Sequence, residues 1–278
     1  MTPTYILSKL LTGDATPAAF AAPSAGTIPR AALEKAMPDR PVSMARAQAQ
    51  LALALIVFVI AAAVPYSWLI AHFAYPGILQ ASAVEILTKF HAGGSSLVFA
   101  WLVFGVSALL FIPVALGFER LFALSGLKPN GSALMGTASA LLQAIGLLRW
   151  VLVVPALASS YVAADSASAT REAIAVVFDA VHRYGGMVLG EFLGQLLLAA
   201  WTGLAGLQMM RANLVPRWLA VLGCLTLPLW VLGQSKLLHG VLPAIPPFDL
   251  IPLAFMAWEL WLVAIAVVLL ARAWRAQA

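Results

Sequence analysis

The sequence predicts an all-α, polytopic membrane protein: a bundle of six transmembrane helices with its N-terminus and C-terminus both cytoplasmic. Three observations lead there. Sixty-three per cent of the 278 residues are hydrophobic and only 10% are charged, whereas soluble domains are nearer half apolar and a quarter charged. Six stretches reach the ~20 residues that a helix needs to cross a bilayer's hydrocarbon core. The basic residues outside those stretches fall mostly on one side of the implied topology.

Residues 1–48 differ from the rest. They are rich in Ala, Pro, Thr and Ser, and their apolar patch Tyr5–Leu11 is broken by Lys9 and followed by Asp14. That makes a poor signal-peptide core. The stretch reads as a mostly disordered cytoplasmic tail with a short helix near 31–37. A solvated tail and a partner-binding tail are both open readings.

The remaining chain, 49–278, reads as the transmembrane domain. Its spans fall at about 50–74, 94–118, 133–158, 186–209, 216–237 and 250–272, separated by polar, Gly-rich or Pro-containing connections. Pro65, Pro113, Pro155 and Pro228 lie inside four spans. Each predicts a kink, because proline lacks the N–H and crowds the carbonyl one turn back. Trp68, Trp218 and Trp274 sit near span ends and read as interfacial anchors. The motifs F-H-A-G-G at 90–94 and V-H-R-Y-G-G at 181–186 introduce spans of the same direction, so a duplicated helix pair is a candidate reading.

Orientation follows from Lys and Arg in the loops. With the N-terminus inside, only Lys89, Arg171, Arg183 and Lys236 lie outside and Arg149 lies within a span; the other basic residues are inside. The net charge of +5 is thus topological, and no nucleic acid is implied. The single cysteine, Cys224, excludes an intrachain disulfide and a cysteine-rich metal site.

The fourth span carries the most informative pattern. Gly186, Gly190 and Gly194 line one face, and Glu191 and Gln195 lie one helical turn apart on a neighbouring face. Glycines let another helix approach closely. A carboxylate at membrane depth should face protein or water. Arg149 in the third span and Glu259 in the sixth should lie at similar depth. Gln143 and Gly146 share a helix face with Arg149, and Trp150 follows it. The candidate ligand-binding set is therefore Arg149, Glu191, Glu259, Gln195, Gln143 and Trp150: a polar pocket opening outward, in which Arg149 holds an anionic group. A structural ion pair that fixes helix packing is the competing reading. Further polar groups at that level are Gln234, Lys236 and Tyr184.

Topology also places His72, His91, His182 and His239 near the outer interface. They are the candidate ligands of a metal or haem site. The plainer reading is polar residues at helix ends, and no H-x-x-x-H or H-E-x-x-H pair occurs. No catalytic residue is assigned: G-x-S-x-G, Walker and dinucleotide glycine patterns are all missing.

Three stretches resemble one membrane family. They are A-L-L-Q-A-I-G-L-L-R-W at 140–150, L-V-P-R-W-L-A-V-L-G at 214–223 and E-L-W-L-V-A-I-A-V-V-L-L at 259–270. Together they resemble the bacterial family called domain of unknown function 4386, over about 136–272. Pro216 to Gly223 is the most specific element. Arg149 and Glu259 match charged positions of that family; where a glutamate is expected one turn after the arginine, this chain has Leu152. The resemblance implies a six- or seven-helix protein of the bacterial inner membrane and implies no activity.

The leading expectation is a non-enzymatic multi-pass protein that binds or passes a small anionic or amphipathic molecule. The bilayer is its first partner, with a small molecule or lipid as ligand. Two alternatives stand beside it. One is a histidine-ligated metal or haem redox protein. The other is an assembly subunit of a larger membrane complex, or a homodimer packed through the glycine face.

Overall fold

A computed structural model describes residues 40–164 and 169–276, and among them the chain is helical with no strand. Residues 1–39, including the short helix expected at 31–37, lie outside the described residues. Helix α1 spans Arg40–Phe73. It begins well before the expected 50 because R-P-V-S-M-A-R-A-Q-A, although too polar to count towards a span, is rich in good helix formers.

Proline punctuates the later spans. The second crossing is α2 (Ala83–Leu109) followed by α3 (Phe111–Leu124), interrupted at Leu110 just before Pro113. The third is α4 (Ser132–Leu152) and α5 (Val154–Ala163), interrupted at Val153 before Pro155. The fifth is α8 (Arg217–Leu225), α9 (Leu227–Gly233) and α10 (Ser235–His239), whose first interruption at Thr226 precedes Pro228. Each break falls where the proline ring would meet the preceding turn. Pro65 is the exception, since α1 runs through it. The sixth crossing is the single helix α11, Ile251–Arg275.

The fourth crossing is built differently. Helix α6 (Ala169–Val181) leads into a π-helical segment, His182–Leu193, and then into α7, Gly194–Ala212. π-Helix seldom exceeds one turn and concentrates at functional sites. Hydropathy alone predicts ordinary winding here, because it carries no information on which carbonyl an N–H will find. The second crossing also starts earlier than expected, since α2 carries an additional segment before a kink at Gly94 (φ 57°).

All six crossings are long and apolar enough to span a membrane. The outward faces carry Leu53, Ile60, Val64, Phe99, Leu134 and Leu260, each more than half exposed. That is the arrangement lipid demands and water penalises. Trp218 and Trp274 are also exposed, as expected of interfacial anchors. An even number of crossings puts the described start and end of the chain, Arg40 and Arg275, at one end of the bundle. The connections 74–82 and 240–250 lie at the other. At the first end, side chains tie the loops down: Asn130 donates to Leu204 O (2.9 Å), Gln208 donates to Lys128 O (2.8 Å), and Arg272 donates to Asn213 O (2.5 Å).

Two aromatic clusters form the core. The first gathers Phe58, Phe111, Phe118, Trp201, Trp258 and Trp261 from α1, α3, α7 and α11. The second gathers Phe73, Phe90, Trp101, Trp150 and Phe178 from α1, α2, α4 and α6. The candidate site lies against both.

Candidate functional site

Arg149 is buried, and the local sequence explains how it stays there. It sits in the last turn of α4, where a cation interacts favourably with the helix's C-terminal carbonyls. Its Nη1 donates to Gly146 O, and its Nη2 donates to His182 Nδ1 (3.3 Å). Its guanidinium lies over the Trp150 ring, 5.0 Å from the centroid. The residue is only 7% exposed. Its Nε has no hydrogen-bond partner. Among the described residues the sole ion pair within 4 Å is Lys236–Asp249 at 2.8 Å, so Arg149 has no carboxylate at contact distance; Glu191, which lines the same cavity, interacts with it from further away.

Glycines make the room. A Cβ on Gly186 would fall on the Arg149 guanidinium. A Cβ on Gly146 would lie 2.8 Å from Gly190 Cα, and one on Gly194 would lie 2.8 Å from Gln143 Cγ. The Gly186–Gly190–Gly194 face expected from the sequence therefore exists, and α4 of the same chain fills it. It is not left open for a second copy.

Arg149 lines a cavity of about 330 Å³. All six residues of the expected binding set, Arg149, Glu191, Glu259, Gln195, Gln143 and Trp150, contribute to its wall. They come from α4, the π-helical segment, α7 and α11. Gln143 donates to Ser139 Oγ (2.8 Å), and Gln195 accepts from Gln234 Nε2 (2.9 Å). The rest of the wall is largely apolar: Phe58, Ala62, Ile70, Phe104, Phe255 and Met256. Ile70 and Met256 are 48% and 58% exposed, so this part of the wall is also part of the membrane-facing surface. The Lys236–Asp249 pair stands at the loop end.

Sequence reasoning missed the connection after α1. Tyr75, Pro76, Leu79 and Gln80 all line the cavity. The chain turns back there through Ala74 (φ 58°), a cis Tyr75–Pro76 bond and the short 3-10 helix Gly77–Gln80. The dipeptide signal P-G at 76–77 marks a turn; it carries no information on which way the turn folds. Burial of the Tyr75 hydroxyl pushes its pKa up, and the Glu191 charge adds to this.

The structure does not bring the four histidines together. Among the described residues no three His, Cys, Asp or Glu side chains converge as a metal site needs. His72 is exposed, stacks on Trp68 at 4.2 Å and bonds to Trp68 O. His91 is exposed, and His239 bonds to Ile245 O (2.8 Å). His182 alone is buried. Arginine can only donate, so Nδ1 of His182 accepts from Arg149 and Nε2–H donates to Leu79 O (3.2 Å). His182 thus links Arg149 to the 74–82 connection. Tyr184, expected at the pocket, is 66% exposed and is not part of its wall.

Comparison with known proteins gives one result on identity. The family model described as domain of unknown function (DUF4386) matches residues 51–268, a longer stretch than the motifs at 136–272 alone suggest. Neither the curated proteins nor the solved structures provide a match. With most of the chain covered by that model, and six helices long and apolar enough to span a membrane, the chain belongs to the DUF4386 family of multi-pass helical membrane proteins.

Proposed function

We propose that the protein binds, and releases or passes, a small amphipathic molecule whose anionic group sits on Arg149. The observation that carries this reading is a guanidinium that is more than nine-tenths buried, lines a cavity and has no carboxylate within 4 Å. An ionised group at membrane depth costs several kcal/mol unless its charge is met. Gly146 O, His182 and Trp150 supply neutral contacts, and the Glu191 carboxyl in the same wall acts on Arg149 only from beyond 4 Å. A bound anion completes the site. The structural ion pair considered from the sequence lacks its second member at contact distance. The volume of about 330 Å³ lies at the small end of ligand pockets, and the apolar wall suits the remainder of an amphiphile.

The excess of Lys and Arg at the opposite end of the bundle supports an orientation with both termini cytoplasmic. The 74–82 and 240–250 connections, and the cavity mouth, then face the extracytoplasmic side of a bacterial inner membrane. No nucleophile or redox group is assigned, so the reading is non-enzymatic.

The test is native mass spectrometry of the full chain released from its own membrane in mild detergent. Wild-type protein is expected to retain a bound anionic or zwitterionic amphiphile, and Arg149→Gln to lose it while still inserting and migrating as a monodisperse species. Retention of the same molecule by Arg149→Gln would remove Arg149 as its anchor. Loss of the folded species in Arg149→Gln and Arg149→Lys alike would return the arginine to a purely structural role.

A further inference from the structure

The charges of the cavity wall do not balance around an anion alone. Lys236 and Asp249 neutralise each other at 2.8 Å. That leaves Arg149, Glu191 and Glu259 as ionisable wall residues, none within 4 Å of an opposite charge. A monoanion would satisfy Arg149 but would bring a third acidic group into a small space already holding two carboxyl side chains. A monocation would meet the carboxylates and leave the guanidinium unpaired. From these charges we infer that the ligand is a zwitterion, with its anionic group on Arg149 and its ammonium group held by Glu259; Glu191 lines the same cavity. The inference rests on the reading above and specifies its ligand class.

The geometry favours this division of labour. Arg149 ends α4, whereas Glu259 lies two turns into α11, a helix that packs chiefly on α1. The two charges therefore enter the cavity from separate helices, as the two ends of one headgroup require. The Tyr66 and Tyr75 rings, 5.5 Å apart by centroid, also line the cavity. They offer hydroxyl groups and ring faces beside the ammonium. A volume of about 330 Å³ holds a headgroup and not a whole lipid. Ile70 and Met256, in the wall and on the membrane-facing surface at once, mark where acyl chains would leave it. A phosphate–ammonium headgroup of a lipid and a free solute of the same chemistry share these contacts, and experiment separates them.

The full chain in maltoside micelles is titrated with four probes, read by native mass spectrometry. They are lyso-phosphatidylethanolamine, lyso-phosphatidic acid of the same chain length, an alkyltrimethylammonium of that length, and free phosphoethanolamine. The zwitterionic lysolipid should bind at least about tenfold more tightly than either singly charged type, the scale of one well-placed charge contact. Glu259→Gln should erase its advantage over lyso-phosphatidic acid and leave lyso-phosphatidic acid itself bound. Binding of free phosphoethanolamine at equal affinity would support the inference with a solute as the source; failure of it to bind would support it with a lipid. Equal or tighter binding of lyso-phosphatidic acid by the wild type would overturn the zwitterion and leave the Arg149-anchored anion standing. Saturation by none of the four would overturn both. If Glu259→Gln loses every probe, the wild-type preference alone decides.

Discussion

The two aromatic clusters use the same residues for different ends. In the first, two indoles are pinned by neutral partners: Trp258 Nε1 donates to Thr202 Oγ1 (2.9 Å) and Trp261 Nε1 donates to Leu219 O (2.8 Å), while Trp201 Nε1 has no partner. Its rings meet edge to face, as at Phe111–Trp201 (4.7 Å, 79°), and no charge enters it. The second shares such edge-to-face contacts, as at Phe73–Trp150 (5.6 Å, 82°), but adds flat stacks at Trp101–Trp150 (4.8 Å, 13°) and Phe90–Trp150 (5.6 Å, 26°). Trp150, the ring common to both stacks, also carries the Arg149 guanidinium. The difference teaches that aromatic bulk in this bundle has two jobs. One joins helices. The other builds an apolar wall that holds a cation with no carboxylate at contact distance.

The sharpest way to break that comparison is to remove one indole from each cluster. Trp150→Ala and Trp261→Ala each delete a fully buried ring and should each lower stability by about 3–5 kcal/mol, measured by denaturant unfolding in detergent. Only Trp150→Ala should also weaken binding of an anionic amphiphile, because only Trp150 supports Arg149. Equal loss of binding in both would mean that the two clusters are one functional unit.

A smaller effect is expected at the helix contact beside the site. In Gly146→Val the new side chain meets Gly190 backbone, which cannot rotate away. The cost should be about 1–3 kcal/mol, with ligand affinity falling as the π-helical segment is pushed off α4. Smallest is Thr202→Val, which leaves Trp258 Nε1 without its acceptor. A loss of about 1–3 kcal/mol is expected, towards the low end, with ligand affinity unchanged. A fall in affinity in that variant would tie the first cluster to the cavity.

Much of this was legible in the sequence, for physical reasons. Span positions follow from length and hydropathy, which are local properties. Arg149, Glu191 and Glu259 could be assigned to one level because a charge within a span must face protein, and alternating direction sets its depth. Gln143 and Trp150 came with Arg149 by helical spacing. All of these line one cavity. Three things were beyond reach. The cap formed by Tyr75 to Gln80 depends on turn geometry at Ala74 and Pro76. The role of His182 depends on a contact with a residue 33 positions away. The four histidines shared a side of the membrane by topology, yet a common side fixes one coordinate and ligation needs three.

The π-helical segment has a consequence for how this chain tolerates change in length. His182, Gly186, Gly190 and Gly194 recur every four residues. In ordinary α-winding each such step leads by about 40°, so the row would swing about 120° away from α4 over its length. Hydrogen bonds that reach one residue further slow the winding and keep the row in register with its neighbour. The segment behaves as a vernier between a four-residue repeat and a straight seam. Loss of a single residue within 182–193 would turn everything after it by about 100°, carrying Thr202 away from Trp258 and Gln195 away from the cavity together. Point substitutions can be absorbed one side chain at a time; here an insertion or deletion acts on two distant contacts in one step.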